Sequence, residues 1–200
     1  IENQATGTGY SRTYFDKLDR EIRTTSEGFN GNLIYQDTRY NADGTVQSVS
    51  DPYFQGNTAY WTTYEYDVLK RPTKETRPGN EVTTFSYDGF STSITNAENQ
   101  TTTKTLNPMG ETESIRDALG SELYFFYDND LNLISRMDFY ENEIRYGHDI
   151  RGFRTSMDDP NMGQYSYQYN VLGQLITQTQ PNNEVIRFEY DLLNRVTKRT

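Results

Sequence analysis

The only histidine, His148, is the first residue to consider for chemistry, and the chain of 200 residues contains no cysteine. A single imidazole cannot supply a histidine cage for a metal ion, and without cysteine there is no thiolate ligand, thiolate nucleophile or disulfide scaffold. A serine–histidine pair would have to use His148 itself. We therefore expect neither a metal site nor a cofactor.

Carboxylates are numerous, at 29, so acid–base pairs and cation sites must be considered next. Asp128-Asn129-Asp130 begins like a calcium-binding loop, but Leu133 occupies the sixth position, where glycine is needed, and Phe139 the twelfth, where glutamate is needed. Asp158-Asp159 precedes Pro160, a pattern typical of a turn. Because no carboxylate pair is distinguished from the others, we predict that the chain is not an enzyme and has no catalytic residues.

Aromatic residues offer a different kind of chemistry, since the chain has 17 Tyr, 10 Phe and one Trp. Rings that remain exposed can stack on sugars, and Tyr60 and Trp61 are the candidate glycan contacts. Aromatic residues at alternate positions of a strand more commonly form the covered face of a sheet. Recognition of a glycan or a protein by the exposed sheet face or by residues 29–61 is therefore the alternative function.

Composition narrows the possible partners. The net charge is −10, and the 19 basic residues are scattered, so a nucleic-acid surface is not expected. The hydrophobic content of 33% is too low for a thick core, and no apolar run approaches the ~20 residues of a membrane-spanning helix. The chain begins Ile1-Glu2-Asn3, which is neither an initiator methionine nor a signal peptide, and we interpret it as a piece of a longer polypeptide.

A dipeptide of an aromatic residue followed by Asp or Asn recurs along the chain. From Asp67 onward its second residue returns at steps of 21, 19, 21, 21, 21 and 21, after earlier steps of 25 and 26. A fixed period indicates a repeat architecture, so we predict one continuous array with irregular units in 1–60 and regular units in 61–200. The predicted anchors are Tyr40-Asn41, Tyr66-Asp67, Tyr87-Asp88, Tyr127-Asp128, His148-Asp149, Tyr169-Asn170 and Tyr190-Asp191, with Phe15-Asp16 and Leu106-Asn107 in the same slot. His148 thus replaces a tyrosine.

Each repeat has the pattern of a β-hairpin. Ile186, Phe188 and Tyr190 alternate with charged residues, as in a strand with one covered face, and the anchor then begins a turn. Three residues after the anchor stand Gly44, Gly110, Gly152 and Gly173, which accept a left-handed backbone, whereas Lys70 and Leu131 at this position predict strained or differently shaped turns. Residues 111–119 favour a strand over a short helix. We predict an all-β fold in which tandem antiparallel hairpins form one long, twisted, coiling sheet.

The whole chain resembles the YD or Rhs repeat family. Two of its units, Tyr66-Asp67-Val68-Leu69-Lys70-Arg71-Pro72 and Tyr190-Asp191-Leu192-Leu193-Asn194-Arg195-Val196, look like family units in which the usual glycine is replaced. His148-Asp149-Ile150-Arg151-Gly152-Phe153 keeps the glycine and varies the tyrosine. Family members include bacterial Rhs proteins, the B and C components of Tc toxins, and teneurins.

The resemblance implies a non-catalytic segment of a secreted or injected bacterial virulence protein, in which a β-shell encloses a C-terminal toxin segment. The partners implied are flanking repeats of the same polypeptide and the enclosed toxin. Self-association through sheet edges is a further expectation, because bare edges invite pairing. Asp51-Pro52 and Asp159-Pro160 lack the glycine that follows in the family's self-cleavage segment, so no protease residues are predicted.

Overall fold

The computed structural model describes residues 11–29 and 31–200, and this part of the chain consists of strands, turns and coil. The start at Ile1-Glu2-Asn3 lies outside the described residues. The first nine strands are β1 Ser11–Phe15, β2 Glu21–Glu27, β3 Leu33–Tyr40, β4 Val46–Ser50, β5 Tyr53–Phe54, β6 Trp61–Tyr66, β7 Pro72–Arg77, β8 Glu81–Asp88 and β9 Ser91–Thr95. The other ten are β10 Thr101–Leu106, β11 Thr112–Arg116, β12 Glu122–Tyr127, β13 Leu133–Met137, β14 Glu143–His148, β15 Arg154–Asp159, β16 Gly163–Tyr169, β17 Leu175–Thr179, β18 Val185–Tyr190 and β19 Val196–Arg199.

The chain divides into two compact units, residues 1–86 with 93–101 and residues 87–92 with 102–200. In the first unit β1, β2, β3, β4, β6 and β7 pair in this order, β5 adds to β3, and β7 pairs with β8 over Glu81–Thr84. In the second unit β10 to β19 pair in sequence order. All of these pairs are antiparallel. The predicted all-β class of antiparallel hairpins is confirmed, as is a strand within residues 111–119.

Very little apolar surface is fully buried. Among the described residues, the buried hydrophobic side chains are Tyr146 and Ile186. Tyr165, Tyr167 and Tyr169 are half-buried and alternate with exposed polar residues along β16. The strands are therefore held mainly by backbone ladders and cross-strand side-chain pairs rather than by a thick core.

A one-residue slip in register accompanies the anchor dipeptides. In the second unit, Phe126 pairs with Ser135 but Tyr127 pairs with Leu133, which leaves one extra residue on β13. The same slip occurs at Phe15, Tyr40, Tyr66, Leu106, His148, Tyr169 and Tyr190. A β-bulge of this kind increases local twist and redirects side chains. The hairpin thus turns and bulges at the same place in every such unit.

Candidate functional site

The anchor Asp or Asn caps its own turn. At Asp128, Oδ1 lies 2.9 Å from the backbone nitrogens of both Asp130 and Asn132. The Asp128 N–H donates to the Asn132 carbonyl (3.0 Å), and the Leu131 N–H donates to the Asp128 carbonyl (3.1 Å). The same pair of side-chain bonds, 2.8–3.0 Å long, forms at Asp16, Asp67, Asn107, Asp149, Asn170 and Asp191. One side-chain oxygen therefore organises the whole connection.

Two predicted anchors differ from this pattern. Asn41 makes the same backbone turn, but Asp43 Oδ1 accepts the Thr45 N–H (3.1 Å), while Asn41 Nδ2 donates to the Thr45 hydroxyl. Asp88 is the last residue of β8, and only Gly89 and Phe90 separate it from β9. A two-residue connection with positive φ at Gly89 (56°) leaves no room for a three-residue capped loop.

The fourth residue of each capped turn has a left-handed backbone. Gly44, Gly110, Gly152 and Gly173 have φ values between 80° and 90°. Lys70 (61°) and Leu131 (64°) adopt the same region, so their turns keep the common shape rather than a different one. A side chain with a Cβ is strained there. These two turns therefore carry a local conformational cost that the glycine turns avoid.

The tyrosine that precedes the anchor bonds to the preceding hairpin. The Tyr127 hydroxyl donates to the Thr112 carbonyl (3.0 Å), and the Tyr190 hydroxyl donates to the Leu175 carbonyl (2.9 Å), in each case fifteen residues upstream. Tyr40 donates likewise to Glu21 (2.8 Å). His148 occupies this slot with a shorter side chain, and its buried Nδ1 has no hydrogen-bond partner within residues 11–29 and 31–200. The slot thus links neighbouring hairpins at Tyr40, Tyr127 and Tyr190.

The carboxylate anchors are electrostatically favoured in their ionised form. Hydrogen bonds from the Asn132 side chain and then its backbone hold the pKa of Asp128 below its ordinary value of 3.8. The side chain and then the backbone of Arg20 lower the pKa of Asp16, and Arg71 lowers that of Asp67, mainly through its backbone N–H. These side chains are partly exposed to solvent, so the effect is screened by water and salt.

Neighbouring turns are also joined to one another. Lys70 Nζ donates to the Asp43 carbonyl (2.7 Å) in the first unit. In the second unit, Arg151 donates to the Asn170 carbonyl (3.2 Å), and Gln174 Nε2 donates to Asn194 Oδ1 (2.6 Å). These bonds join two turns in the first unit and three successive capped turns in the second.

The acidic residues that the sequence offered as possible cation sites accept hydrogen bonds within their own turns. Both carboxylate oxygens of Asp128 bond to its own turn, because Asn132 Nδ2 donates to Oδ2 (3.0 Å). Asp159 is buried, and its Oδ1 accepts the N–H groups of Asn161 and Met162. Within the described residues, no group of three or more His, Asp or Glu side chains is placed to hold a metal ion.

The two candidate glycan contacts lie in different surroundings. Tyr60 is 64% exposed and precedes β6. Trp61 is the first residue of β6, and the Arg39 guanidinium lies over its ring at 3.7 Å. A cation at this distance covers one face of the indole. Only the opposite face of Trp61 is left for stacking on a sugar.

The sequence predicted hairpins joined by turns, but not that a second set of these turns is also capped by a side chain. Asn96, Asp117 and Asp138 accept the same two backbone N–H groups at 2.8–3.0 Å, and Asn99, Gly120 and Glu141 have positive φ. No aromatic–Asp dipeptide marks these turns, because Thr95, Arg116 and Met137 precede them. The spacing of a polar residue, two variable residues and Gly or Asn was the available signal at Asn96 and Asp117, whereas Glu141 departs from it.

An ion-pair cluster in the first unit was also missed. Asp37 accepts hydrogen bonds from Arg23 Nε (2.5 Å) and Nη2 (2.8 Å) and from the Tyr53 hydroxyl (2.5 Å). The Ser50 hydroxyl accepts the Asp37 N–H (2.8 Å). The Arg23 hydrogen bonds lower the pKa of Asp37, while the Asp37 carboxylate raises that of Tyr53. Each of these groups is hydrogen-bonded to another member of the network, so the network serves to join β2, β3, β4 and β5.

The fold and its turns define a class of protein: a β-repeat protein of tandem antiparallel hairpins with a side-chain cap at each turn. Residues 164–200 match the model of the RHS Repeat family. The predicted resemblance to the YD or Rhs repeat family is confirmed by this match together with the structural likenesses below. No curated protein matches the chain in sequence.

Several solved structures share the fold. The crystal structure of TcdB2-TccC3-TEV aligns with a TM-score of 0.75 at 15% identity, and that of TcdB2-TccC3-Cdc42 with 0.77 at 14%. TcdB2-TccC3 without its hypervariable C-terminal region gives 0.76 at 13%. In each case the alignment covers 96% of this chain and 12% of the other. The chain therefore spans about an eighth of the length of these Tc toxin proteins and shares their fold over nearly all of its own length.

Proposed function

We propose that this chain is a non-catalytic wall segment of a secreted or injected bacterial toxin of the Rhs/Tc type, part of a β-shell that encloses a C-terminal toxin segment. The single observation that carries the proposal is the likeness to TcdB2-TccC3 over 96% of the chain. The partners would be flanking repeats of the same polypeptide and the enclosed segment. We further propose one array, irregular in 1–60 and regular in 61–200.

The local chemistry supports a structural role. The polar groups that the sequence offered as candidate sites are used to build turns, as Asp128 and Asp159 illustrate. Described residues 11–29 and 31–200 contain no helix that is long and apolar enough to cross a membrane. A wall needs strands that pair on both sides and turns that hold a fixed shape, and the repeat supplies both.

Limited proteolysis of the full-length polypeptide that contains this segment tests the proposal. We expect the C-terminal segment to resist trypsin in the intact protein. Deletion of residues 118–128 removes one strand and reverses the direction of every strand that follows, so it should make the C-terminal segment sensitive. Val171→Ala, a change at an exposed turn position, is the matched control and should leave resistance unchanged. Rapid digestion of the C-terminal segment in the unaltered protein would refute the enclosing role.

Binding of a glycan or protein through Tyr60 and Trp61 is the alternative proposal. Tyr60 is the better placed of the two, because Arg39 covers one face of Trp61. A glycan array would favour this function if a saturable signal is lost in Tyr60→Ala and retained in Tyr14→Ala, a control at another exposed tyrosine.

A further inference from the structure

An apolar corner lies in the second unit between two neighbouring turns, 117–121 and 138–142. Its volume is about 340 Å³, and the floor is formed by Ile115 and Leu123, which pair across β11 and β12. This volume is at the lower end of the range for small-ligand sites, roughly 300–1,000 Å³. The corner is therefore large enough for a compact organic group.

Two exposed aromatic rings form its walls. Phe139 is 60% exposed and Tyr140 is 79% exposed, at the two outer positions of the turn that Asp138 caps. Their centroids are 5.5 Å apart and their planes meet at 84°. The cap fixes the backbone beneath them, because Asp138 Oδ1 accepts the N–H groups of Tyr140 (2.8 Å) and Asn142 (2.9 Å). Two perpendicular ring surfaces are thus presented to solvent.

The rim of the corner is acidic. Asp117, Glu122 and Asp138 line it, and none of the residues that line it is basic. The Glu122 carboxylate accepts a hydrogen bond from the Tyr124 hydroxyl (2.9 Å), so Asp117 and Asp138 are the two turn carboxylates at the corner. The Asn142 side chain lowers the pKa of Asp138, so that carboxylate stays ionised. An occupant of this corner should therefore carry positive charge and apolar surface together.

We propose that this corner binds a quaternary ammonium group of the choline type. Aromatic faces attract a cation through their quadrupole, and a quaternary ammonium group has methyl groups that pack on the rings and the apolar floor. The carboxylates of Asp117 and Asp138 supply long-range attraction without a direct hydrogen bond. This inference is independent of the wall function, because it uses only side chains within residues 115–142.

Titration with choline chloride, followed by NMR of the protein, tests the proposal against an uncharged control ligand. The control, 3,3-dimethylbutanol, has the same shape as choline with carbon in place of nitrogen. We expect saturable shifts at Phe139 and Tyr140 with choline and about tenfold weaker binding of the alcohol, the loss that corresponds to about 1.4 kcal/mol. Equal binding of the two ligands, or no saturable binding of choline, would overturn the proposal.

Variants then assign the binding to these residues. Phe139→Ala and Tyr140→Ala should each weaken choline binding about fivefold. Asp117→Asn and Asp138→Asn remove charge but keep the turn, because Asn96 and Asn107 cap identical turns in this chain. These two should each weaken binding about threefold at low salt, whereas Leu172→Ala, at the matching position of another turn, should not. Unchanged affinity in both aromatic variants would contradict the assignment.

A vesicle experiment distinguishes the sources of the ammonium group. If the source is a lipid head group, the protein should co-sediment with phosphatidylcholine vesicles but not with phosphatidylglycerol vesicles, and Tyr140→Ala should weaken the co-sedimentation by a similar factor, about fivefold. Binding of free choline without vesicle binding would assign the site to a soluble ligand of the same chemistry. Equal sedimentation with both vesicles, unaffected by Tyr140→Ala, would count against the site.

Discussion

At the scale of single residues, the phenol hydroxyl gives the tyrosine of the repeated dipeptide a bonding role at Tyr40, Tyr127 and Tyr190. Tyr127 and Tyr190 each bond a backbone carbonyl fifteen residues upstream, in the neighbouring strand. A phenylalanine would keep the ring but leave that bond unmade. An intramolecular hydrogen bond contributes about 1 kcal/mol net, which is substantial for a hairpin with little buried surface.

His148→Tyr should therefore stabilise the protein. The new hydroxyl would be placed to reach the Leu133 carbonyl, fifteen residues upstream, and would remove a buried ring nitrogen that has no partner in the described residues. We expect the free energy of unfolding to rise by about 1 kcal/mol in urea denaturation. His148→Phe is the control that keeps an aromatic ring without the hydroxyl. Equal stability of the two variants would show that the bond does not form.

The capping carboxylates make stability depend on pH at the acidic end. The pKa values of Asp16, Asp67, Asp128, Asp149 and Asp191 are lowered in the folded chain, chiefly by hydrogen bonds to the residue two or four positions on. The unfolded chain binds protons more readily, so acid favours unfolding. We expect full stabilisation above the ordinary pKa of 3.8 and progressive loss as the pH falls below it.

The Asp128→Asn variant provides the check. Asparagine retains the oxygen that accepts the two N–H groups, as Asn107 and Asn170 do, but it cannot titrate. Urea midpoints measured from pH 6 to pH 2.5 should fall less steeply for this variant than for the parent. A parallel fall in both proteins would mean that the Asp128 charge makes no difference to folding.

At the scale of elements, the unit of construction is a three-residue connection with a cap at its start and a left-handed residue at its end. This combination of a type I turn and a left-handed residue is a common hairpin loop. Leu131 fills the left-handed position at φ 64° with a side chain that is 44% exposed. Deep burial of the leucine side chain therefore does not offset the backbone strain at this position.

Leu131→Gly should stabilise the second unit by about 1 kcal/mol, because glycine adopts positive φ without the clash of a Cβ. The reverse change, Gly152→Ala, should destabilise it, since the added Cβ would lie 3.1 Å from Asn132 Oδ1 at φ 81°. Thermal or urea unfolding of both variants gives the comparison. Lower stability of Leu131→Gly than of the parent would show that leucine packing outweighs backbone strain.

Local chemistry made the hairpins predictable from sequence. Alternation at Tyr165, Tyr167 and Tyr169 and the turn pattern at Asp149 to Gly152 both act over a few residues, so they can be recognised directly. The Arg23–Asp37 pair could not be, because its partners are fourteen residues apart and meet only through the register of β2 and β3. Whether Asp88 caps a turn depends on the length of the β8–β9 connection, which the dipeptide alone does not specify.

At the scale of the whole molecule, the last strand offers an unpaired edge within the residues described. All four residues of β19 are exposed. The N–H and C=O groups of Thr200 both hydrogen-bond to Arg187. Because consecutive residues of an antiparallel strand direct their backbone groups to opposite sides, the N–H group of Arg199 points away from β18. Such an edge pairs readily with another strand, either a flanking repeat or a second copy.

We expect this 200-residue chain to self-associate in a concentration-dependent way through β19. Arg199→Pro removes an outward donor without breaking the bonds to β18, and it should shift the sedimentation coefficient towards the monomer value. Arg199→Ala, which keeps the donor, is the control for loss of the side chain. A monomer across a wide concentration range in the parent protein would contradict the expectation.

The turn cap needs only one oxygen, and Asp and Asn supply it equally well at Asp128 and Asn107. Each exchange between the two changes the formal charge by one without altering the hydrogen bonds that shape the loop. A protein built from many such loops can therefore acquire a strongly negative, neutral or locally patterned surface while its backbone stays the same. The electrostatic character of this scaffold, now −10 overall, is adjustable independently of its architecture.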